Sequence, residues 1–372
     1  MKDTLGIIYA AEDDTQIREL TKKRSIAALP FGGRYRLVDF TLSNMVNSGI
    51  KNIGIITQNN YASLVDHIGT GKEWDLNRKR EGLNILSPFA IHDSTGWYKG
   101  SIDALHSAMG FIKKGNEKYV LISGTHMLCN MNFNEYQNFH IEKGADITVI
   151  YKEDNIRKDK LKKYTLLQTD EDGRVRDIEV YPAIPKSNKI SMKMYLLEKE
   201  LLEYLIEEAS ARGYEDFVKD IIIKKIDKLK IYGYPYEGYL ARIDSITTYY
   251  RFNMELLKKE VREELFYREG LIYTRIKDEV PAKYSDDAVV KNCLVADGCI
   301  IEGEIENCIL FRGVRISKGA KIKNSIIFQE CEIEENAVLD HVILDKKVIV
   351  KRGRTLIGTE NYPVAITKGE VI

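Results

Sequence analysis

A run of three carboxylates near the start of the chain is the first group of residues that could do chemistry. Glu12, Asp13 and Asp14 follow an apolar segment at residues 5–9. Carboxylate oxygens are the ligands that hard divalent cations prefer, so one interpretation is a metal site. Consecutive side chains diverge in direction, however, and three in a row converge poorly on one ion. We favour the alternative interpretation, an exposed acidic loop.

A basic cluster follows the carboxylates. Lys23 and Arg24 lie in one group, and Arg34 and Arg36 flank Tyr35 a short distance along the chain. Lysine offers phosphate a point charge, and arginine offers it a bidentate fork of donors. Solvated charges on a loop would explain the same residues, because exposed charges are common and cost little. The cluster is therefore either an anion site or a solvated loop.

The elements that must position these residues alternate between strands and helices. Short apolar runs bounded by turn residues predict buried strands at residues 5–9, 53–57, 119–122 and 147–151. Residues 40–46 have helical spacing and end near Gly49, which can take the left-handed position that closes a helix. This order predicts an α/β domain with a mainly parallel sheet, whose binding sites lie at the carboxyl ends of the strands.

A long amphipathic segment ends this first domain. Residues 245–266 predict one helix, with an apolar stripe formed by Ile246, Tyr250, Leu257, Val261 and Leu265. Residues 267–283 have no periodic pattern and include Pro281, which is typical of a linker. We therefore predict an α/β domain at 1–266, a linker at 267–283 and a second domain at 284–372.

The second domain has a different pattern. Apolar residues recur in pairs six positions apart: Val289 and Val295, Ile316 and Ile322, Ile327 and Ile333, Ile343 and Ile349. Similar segments beginning at Asn292, Asn307 and Asn324 recur about one coil apart. The pattern predicts a triangular parallel β-helix, because a sandwich of short strands imposes no sixfold period. Its cysteines are then expected to point inward as small core residues.

Composition limits the classes of function. The 372 residues are 44% hydrophobic and 30% charged, with 56 basic and 56 acidic side chains, so no global field favours nucleic acid or a charged membrane. The five cysteines lack the paired spacing of a zinc site or a disulfide framework, which fits a reducing cytoplasm. Neither a signal peptide nor an apolar run of roughly 18 residues is present, so we expect a cytoplasmic protein.

Several longer stretches carry a specific resemblance. They read LTKKRSIAALPFGG at 20–33, HIGTGKEWDLNR at 67–78, WYKGSIDAL at 97–105, SGTH at 123–126 and IPKSN at 184–188. In this order they resemble the bacterial ADP-glucose pyrophosphorylase, or glucose-1-phosphate adenylyltransferase, family. The resemblance implies a Rossmann-like nucleotidyltransferase domain followed by a left-handed parallel β-helix of hexapeptide repeats. It also implies synthesis of ADP-glucose, the glycogen precursor, from ATP and glucose 1-phosphate.

The chain departs from this family at the loop that would hold the triphosphate. The family pattern G-G-x-G-x-R is here AEDDTQ at residues 11–16, so Gln16 stands at the arginine position. Three carboxylates would face an approaching polyphosphate. Like charges about 4 Å apart repel by up to roughly 4 kcal/mol at surface-like screening. We therefore expect that ATP does not bind here in the usual way.

The family's other catalytic positions are also altered. By resemblance, Thr125 stands at the first metal-binding aspartate and Arg242 at the second, and Tyr181 replaces a lysine that grips the sugar phosphate. Lys193 replaces a glycine of the sugar pocket. Asp244, on the same strand face as Arg242, could compensate in part. We expect no catalytic residue, no metal ligand and no cofactor in this chain, with Mg²⁺ confined to a catalytic partner.

Other family positions are retained. By resemblance, Lys23, Arg24 and Arg36 would bind an anionic effector such as a sugar phosphate at the junction with the β-helix. A vestigial nucleotide and sugar pocket would comprise Gln58, Trp97, Tyr98, Gly100, Ser101 and Gly124.

These features predict a regulatory, catalytically silent subunit of the family. It would assemble with a catalytic homologue, as a heterotetramer, and would form homo-oligomers when alone. Two alternatives stay open. One is a weakly active adenylyltransferase that uses Asp244 and the acidic loop as metal ligands. The other is a stand-alone sugar-phosphate sensor. Neither nucleic acid nor a membrane is expected as a partner.

Overall fold

The structure of the chain is a computed structural model that describes residues 1–11, 14–58, 60–88, 98–154 and 161–372. The strands of its first part are β1 (Thr4–Tyr9), β2 (Pro30–Phe31), β3 (Tyr35–Arg36), β4 (Asn52–Ile56), β5 (Gly82–Leu86), β6 (Tyr119–Gly124), β7 (Met127–Leu128), β8 (Ile147–Glu153), β9 (Thr165–Thr169), β10 (Val175–Val180), β11 (Lys189–Glu198), β12 (Ile231–Pro235) and β13 (Ala241–Arg242). The helices are α1 (Arg18–Thr21), α2 (Leu37–Asn47), α3 (Ala62–Ile68), α4 (Ser101–Ser107), α5 (Met109–Lys114), α6 (Phe133–Glu142), α7 (Lys199–Ala211), α8 (Ile246–Glu255) and α9 (Lys259–Phe266), with a π-helical turn at Phe217–Ile223.

A nine-stranded mixed sheet forms the centre of the α/β domain. Seven strands follow the order β10-β9-β11-β6-β1-β4-β5, and β8 pairs with β11 and β12. The strands β6, β1, β4 and β5 run parallel, whereas β11 runs antiparallel to β6, β8 and β9. The predicted α/β class is confirmed, and the four strands expected from the sequence are β1, β4, β6 and β8.

The central strand β1 is buried on both faces. Leu5 and Ile7 belong to one hydrophobic core, and Ile8 belongs to another on the opposite face of the sheet. Successive side chains of a strand point to opposite faces, so a continuous apolar run requires cover on both sides. Helices α4, α5 and α7 contribute to the first core, and α2, α3 and α6 contribute to the second.

The segment expected to form one helix at 245–266 forms two. Helix α8 begins at a capping box between Ser245 and Thr248, and the chain turns at residues 256–258 before α9. At the turn, the Arg262 guanidinium donates a hydrogen bond of 2.7 Å to the Leu256 carbonyl. A side chain therefore satisfies a carbonyl group that a continuous helix would pair with backbone. The expected apolar stripe is confirmed, with Tyr250 among its buried residues.

The second part is a β-helix of short strands. They are β14 (Lys283–Tyr284), β15 (Val289–Lys291), β16 (Leu294–Val295), β17 (Ile300–Ile301), β18 (Glu304–Glu306), β19 (Ile309–Leu310), β20 (Arg315–Ile316), β21 (Lys321–Lys323), β22 (Ile326–Ile327), β23 (Glu332–Ile333), β24 (Val338–Asp340), β25 (Val342–Leu344), β26 (Ile349–Val350), β27 (Thr355–Ile357) and β28 (Val364–Ile366). Each strand pairs in parallel with the third strand after it, which makes three five-stranded sheets. The predicted triangular solenoid is confirmed.

The recurring asparagines form a ladder along one corner of this β-helix. Asn292, Asn307 and Asn324 all have positive φ, and the amide of each donates a hydrogen bond to the next coil. The ladder ends on Asp340, whose Oδ1 accepts from Asn324 at 2.9 Å. Asparagine adopts the left-handed region more readily than most residues. The corner therefore requires this residue type for both backbone and side-chain reasons.

The cysteines of the β-helix are not all alike. Cys299, Cys308 and Cys331 are buried as expected, but Cys293 is only half-buried. Cys293 packs against the core of the β-helix as expected, but its cover is incomplete. The reason is its place in the first coil, because no preceding coil covers that end of the stack.

A shared hydrophobic core joins the two domains. Phe311 and Phe328 of the β-helix belong to the same cluster as Phe31 and Tyr249 of the α/β domain. The ring centroids of Phe328 and Tyr249 lie 6.1 Å apart. The Tyr249 hydroxyl also donates to the Pro30 carbonyl. This packing sets the position of the β-helix against the loop that precedes α2.

Residues 267–282 connect the domains without a helix or strand and lie on the α/β surface. The Tyr273 backbone N–H donates to Ser43 Oγ at 2.9 Å, and the Asn130 side chain donates to the Gly270 carbonyl at 2.8 Å. The linker is thus tied to α2 and to the segment after β7. Of the helices in the described part of the chain, none has the length and apolar composition needed to span a membrane.

Truncation of Phe328 should loosen the contact between the domains. The side chain is fully buried, and a buried Phe→Ala change costs about 3–5 kcal/mol. We expect F328A to lower the free energy of unfolding by that amount in a urea titration. The matched control is Y362A, because Tyr362 is 82% exposed and should change stability by less than about 0.5 kcal/mol. Equal losses in the two variants would contradict the shared core.

Candidate functional site

The carboxyl edge of the parallel strands brings the family's catalytic positions together. Tyr9 at the end of β1 lies opposite Gly124 at the end of β6, and Thr125 follows directly as a buried residue. Arg242 in β13 pairs with Met127 in β7, and the Ile243 N–H donates to the His126 carbonyl at 2.8 Å. Continued past the two strands, this register places Thr125 opposite Asp244, two residues after Arg242.

The Arg242 side chain is held in place by three contacts. Its Nε lies 2.9 Å from Asp244 Oδ2, and its Nη2 donates to the Lys163 carbonyl at 3.2 Å. The guanidinium carbon also lies 4.2 Å from the centre of the Tyr164 ring, a cation–π distance. Only 13% of the side chain is exposed. A fixed positive charge thus stands at the edge of the cleft.

These residues do not fit a divalent cation. Thr125 offers a neutral hydroxyl, and Arg242 carries a positive charge that repels a metal ion. The Asp244 carboxylate is engaged by Arg242 and accepts from Thr248 Oγ1 at 3.1 Å. Among the described residues there is no group of three or more His, Cys, Asp or Glu that could hold a metal. Asp244 was expected to replace the lost metal ligand in part, but its carboxylate already pairs with Arg242.

Two positions of the acidic loop are outside this description. Glu12 and Asp13 lie outside the described residues, so their predicted exposure and the alternative metal role stay predictions. Asp14 is half-buried, and its carbonyl accepts from the Ile17 N–H at 3.0 Å. Gln16 is exposed on the short 3-10 turn that follows.

The turn at Tyr181, where the resemblance places a lysine on the sugar phosphate, lies beside Arg242. Tyr181 has a φ of 53° and an exposed ring, and its N–H donates to the carbonyl of Tyr164, the residue whose ring faces Arg242. Lys193 has a φ of 55° at a bulge in β11, between Ser191 and Tyr195. The left-handed region favours glycine, so lysine at this position is strained relative to the family's glycine.

The predicted vestigial pocket consists mostly of packing contacts. A Cβ on Gly100 would lie 2.3 Å from the Glu215 carbonyl oxygen, so only glycine allows this close approach. Ser101 Oγ accepts from the Phe217 N–H at 2.8 Å, and the Tyr98 hydroxyl accepts from Ser107 Oγ at 3.1 Å. These residues hold α4 against the π-helical turn.

The remaining pocket residues are more scattered. The Gly124 carbonyl accepts from Thr41 Oγ1 at 3.0 Å, and Gln58 is half-buried after β4. Trp97 lies outside the described residues. No described contact separates a ligand role from a packing role for these positions, so the pocket stays a prediction.

The basic cluster divides into exposed and buried members. Lys23 is exposed, whereas Arg24 is 2% exposed and its Nη2 lies 2.8 Å from Asp345 Oδ1 of the β-helix. The other terminal nitrogen of Arg24, Nη1, is buried and has no hydrogen-bond partner. A buried guanidinium donor without a partner is costly, because it has lost its hydration.

Arg36 lies near Arg24. Its guanidinium donates to Ser63 Oγ at 3.0 Å and to the Ser63 carbonyl, and its backbone N–H donates to Asp39. Burial lowers the pKa of Arg36 to about 10, and the charge of Arg24 lowers it further while Asp39 opposes the shift. The shift shows that Arg36 is partly desolvated near a second cation.

Lys346 is a third cation at the junction, beside Arg24 and Arg36, and it was not among the residues predicted from the sequence. Burial lowers the pKa of its ammonium group to about 7, with further lowering by Arg36, Arg24 and Lys277, whereas Asp345 raises it. The signal is absent from the local sequence, since Lys346 lies in a charged corner of the β-helix that looks like solvated surface. Three cations around one carboxylate make a junction that can hold an anion.

Comparisons with known proteins agree with this architecture. Residues 5–258 match the nucleotidyl transferase family, and residues 280–362 match the GlmU-like C-terminal hexapeptide family. The fold and site therefore define a nucleotidyltransferase α/β domain followed by a left-handed hexapeptide β-helix.

Individual relatives narrow the assignment. The chain is 37% identical over 368 residues to the glycogen biosynthesis protein GlgD of Bacillus subtilis. The aligned region covers 99% of this chain and 96% of that protein. It is 36% identical over 356 residues to the glucose-1-phosphate adenylyltransferase of Fervidobacterium nodosum, covering 95% and 85%. Over 366 residues it is 33% identical to that of Bacillus cytotoxicus, covering 97% and 96%. The chain belongs to the glucose-1-phosphate adenylyltransferase family.

Loss of the Asp345 charge should destabilise the junction. In D345N, Arg24 would remain buried beside Arg36 and Lys346 without a counter-charge, and breaking such a pair costs about 3–5 kcal/mol. We expect this loss in the urea-induced unfolding of the full chain. The matched control is D287N, which breaks the exposed Lys318–Asp287 pair and should cost at most about 1 kcal/mol. A loss in D345N no larger than that of D287N would contradict the role of the buried pair.

Proposed function

We propose that this chain is a regulatory, catalytically silent subunit of glucose-1-phosphate adenylyltransferase. It modulates a catalytic homologous subunit that makes ADP-glucose for glycogen. The observation that carries the proposal is the Arg242 guanidinium, which is paired with Asp244, the residue that the register of β7 and β13 places opposite Thr125. Adenylyl transfer needs a divalent cation to draw charge off the phosphates, and this arginine opposes such an ion.

Charge arithmetic supports the silent cleft. Two unit charges of the same sign about 4 Å apart repel by roughly 4 kcal/mol at surface-like screening, and a divalent ion meets a larger repulsion. Each 1.4 kcal/mol is about tenfold in affinity. Asp244 offsets part of this charge, so we expect Arg242 to weaken metal binding by less than the figure for two bare charges. Gln16 and Tyr181 stand where the resemblance expects an arginine and a lysine on phosphate, so the polyphosphate loses cationic partners as well.

The junction supports a regulatory role. Arg24 and Arg36 belong to the α/β domain, Lys346 belongs to the β-helix, and an anion between them would contact both domains. An effector that binds one arrangement of the two domains more tightly shifts the equilibrium by about 1–3 kcal/mol, which is enough for regulation. The effector class we propose is a sugar phosphate. The partner is a catalytic subunit in a heterotetramer.

Turnover should depend on the partner and not on this chain. We expect the purified chain to release no pyrophosphate from ATP and glucose 1-phosphate in the presence of Mg²⁺. When co-expressed with a homologue that keeps both metal-binding aspartates, it should co-purify and change the turnover, substrate affinity or effector response of that homologue. The measurement is ADP-glucose formation with and without this chain.

Controls separate the alternatives in that experiment. R242A in this chain should leave the activity of the complex unchanged, because Arg242 serves no catalytic step. Pyrophosphate release by the isolated wild-type chain would replace the proposal with a weakly active enzyme. An unchanged homologue, together with sugar-phosphate binding by the isolated chain, would support the stand-alone sensor instead.

Anion binding at the junction should weaken as pH rises. Sulfate keeps its charge between pH 6 and pH 8, whereas Lys346 loses its proton near pH 7 in the free protein. A bound anion raises the pKa of Lys346, so binding above pH 7 must take up a proton. We expect sulfate affinity, measured by calorimetry, to fall about tenfold from pH 6 to pH 8.

Two further groups near Lys346, Arg36 and His67, have a lowered pKa as well. The pKa of Arg36 is about 10, and burial lowers the pKa of His67, which pairs with Asp39 behind Arg36. Both groups therefore keep one charge state over most of the interval. K346M should remove the pH dependence, and K347M, a change at the exposed neighbour, should retain it. A pH-independent affinity in the wild-type chain would refute the role of Lys346.

A further inference from the structure

Two cysteines of the β-helix stack on each other in adjacent coils. Leu294 pairs with Ile309, and the Leu294 N–H donates to the Cys308 carbonyl at 2.9 Å, so Cys293 and Cys308 occupy equivalent places. Neighbouring parallel strands lie about 4.8 Å apart. A disulfide needs a Cα separation of about 4.4–6.8 Å. A Cα separation equal to the strand spacing lies within the disulfide range.

Their thiols are chemically unequal, although each donates to a backbone carbonyl of its own coil: Cys293 Sγ to Lys291 at 3.1 Å, and Cys308 Sγ to Glu306 at 3.2 Å. A hydrogen bond with Cys308 lowers the pKa of the Cys293 thiol against the opposing effect of burial, and Cys293 is half-buried. Burial raises the pKa of the Cys308 thiol, which lies in the core. The thiolate is the reactive form of cysteine. Cys293 is thus the nucleophile that solvent can reach, and Cys308 lies behind it as a resolving thiol.

We propose that Cys293 and Cys308 form a modification site, a dithiol that closes to a reversible disulfide with a small-molecule disulfide as co-reactant. The Cys293 thiolate attacks one sulfur of the co-reactant, which forms a mixed disulfide and expels one thiolate. Cys308 then gives up its proton and attacks the Cys293 sulfur, which expels the second thiolate. The protein loses two electrons and two protons, and the co-reactant becomes two thiols.

The other cysteines of the solenoid serve as internal controls. Cys299 and Cys331 lie on a different sheet, and Val314 occupies the coil between them. The Ile300 N–H donates to the Val314 carbonyl, and the Arg315 N–H donates to the Cys331 carbonyl, each at 2.9 Å. Two coil spacings are about 10 Å, which is too far for a disulfide. Burial raises the pKa of Cys331 to about 12, so this pair should stay reduced.

The bridge would affect the first coil of the solenoid, residues 283–298. This coil is the open end of the stack, and Val289, Val290 and Lys291 are exposed on it. The linker joins here, since the Gly298 N–H donates to the Val280 carbonyl. End elements with few neighbours open locally more often than central ones. A covalent link to the second coil should therefore suppress opening where the linker enters the β-helix.

The test is oxidation of the full chain with oxidised glutathione, followed by alkylation under denaturing conditions, peptide mapping and amide hydrogen exchange. We expect the loss of two hydrogen atoms per chain, a Cys293–Cys308 linked peptide, slower exchange at 283–298, and full reversal by dithiothreitol. C293S and C308S should abolish the bridge, and C299S and C331S should leave it intact.

The peptide map of the wild-type chain tests the formation of the Cys293–Cys308 disulfide even if a variant folds poorly. A glutathione adduct that persists on Cys293, a bridge between other cysteines, or an unreacted pair would each overturn the proposal. Unchanged exchange at 283–298 in the oxidised chain would overturn the effect on the first coil. The site is independent of the proposed regulatory function, because the assay uses the isolated chain and measures no turnover.

Discussion

The ion pair between Arg24 and Asp345 is the contact on which the arrangement of the two domains depends. Both side chains are 3% exposed, so neither charge can be hydrated without separating the α/β domain from the β-helix. An ion pair so deeply buried is retained only with good geometry, and removal of one partner leaves an uncompensated charge. The hydrophobic core around Phe328 stabilises the contact between the two domains, whereas the Arg24–Asp345 pair specifies which surfaces of the domains meet.

Positive charge has opposite roles at two places in the molecule. Arg242 lies against Asp244 and the Tyr164 ring, although its Nε, like Arg24 Nη1, is buried without a hydrogen-bond partner. At the junction, burial lowers the pKa of Lys346, and Arg36, Arg24 and Lys277 lower it further. An excess of unsatisfied positive charge favours an anion from solution. The proposals of a catalytically silent cleft and of an anion site at the junction rest on these two groups of charges.

The solenoid converts sequence recurrence into side-chain contact. Residues one coil apart stack at the spacing of adjacent strands, which turns three asparagines into a hydrogen-bonded ladder and places Cys293 above Cys308. The ends of such a stack differ from its middle, because each end coil has only one neighbour. Cys293 differs from the other solenoid cysteines for this reason.

The sequence by itself determined the local elements. A short apolar run predicts β1 and the period-six pattern predicts the β-helix, because both depend only on neighbouring residues, whereas the altered positions Thr125 and Arg242 were identified through the family resemblance. Tertiary structure alone decided the division of the helix at 256–258, the burial of Arg24 and the arrival of Lys346 beside it. The last two outcomes depend on contacts between residues about three hundred positions apart, and desolvation and pKa are properties of such surroundings rather than of residue type.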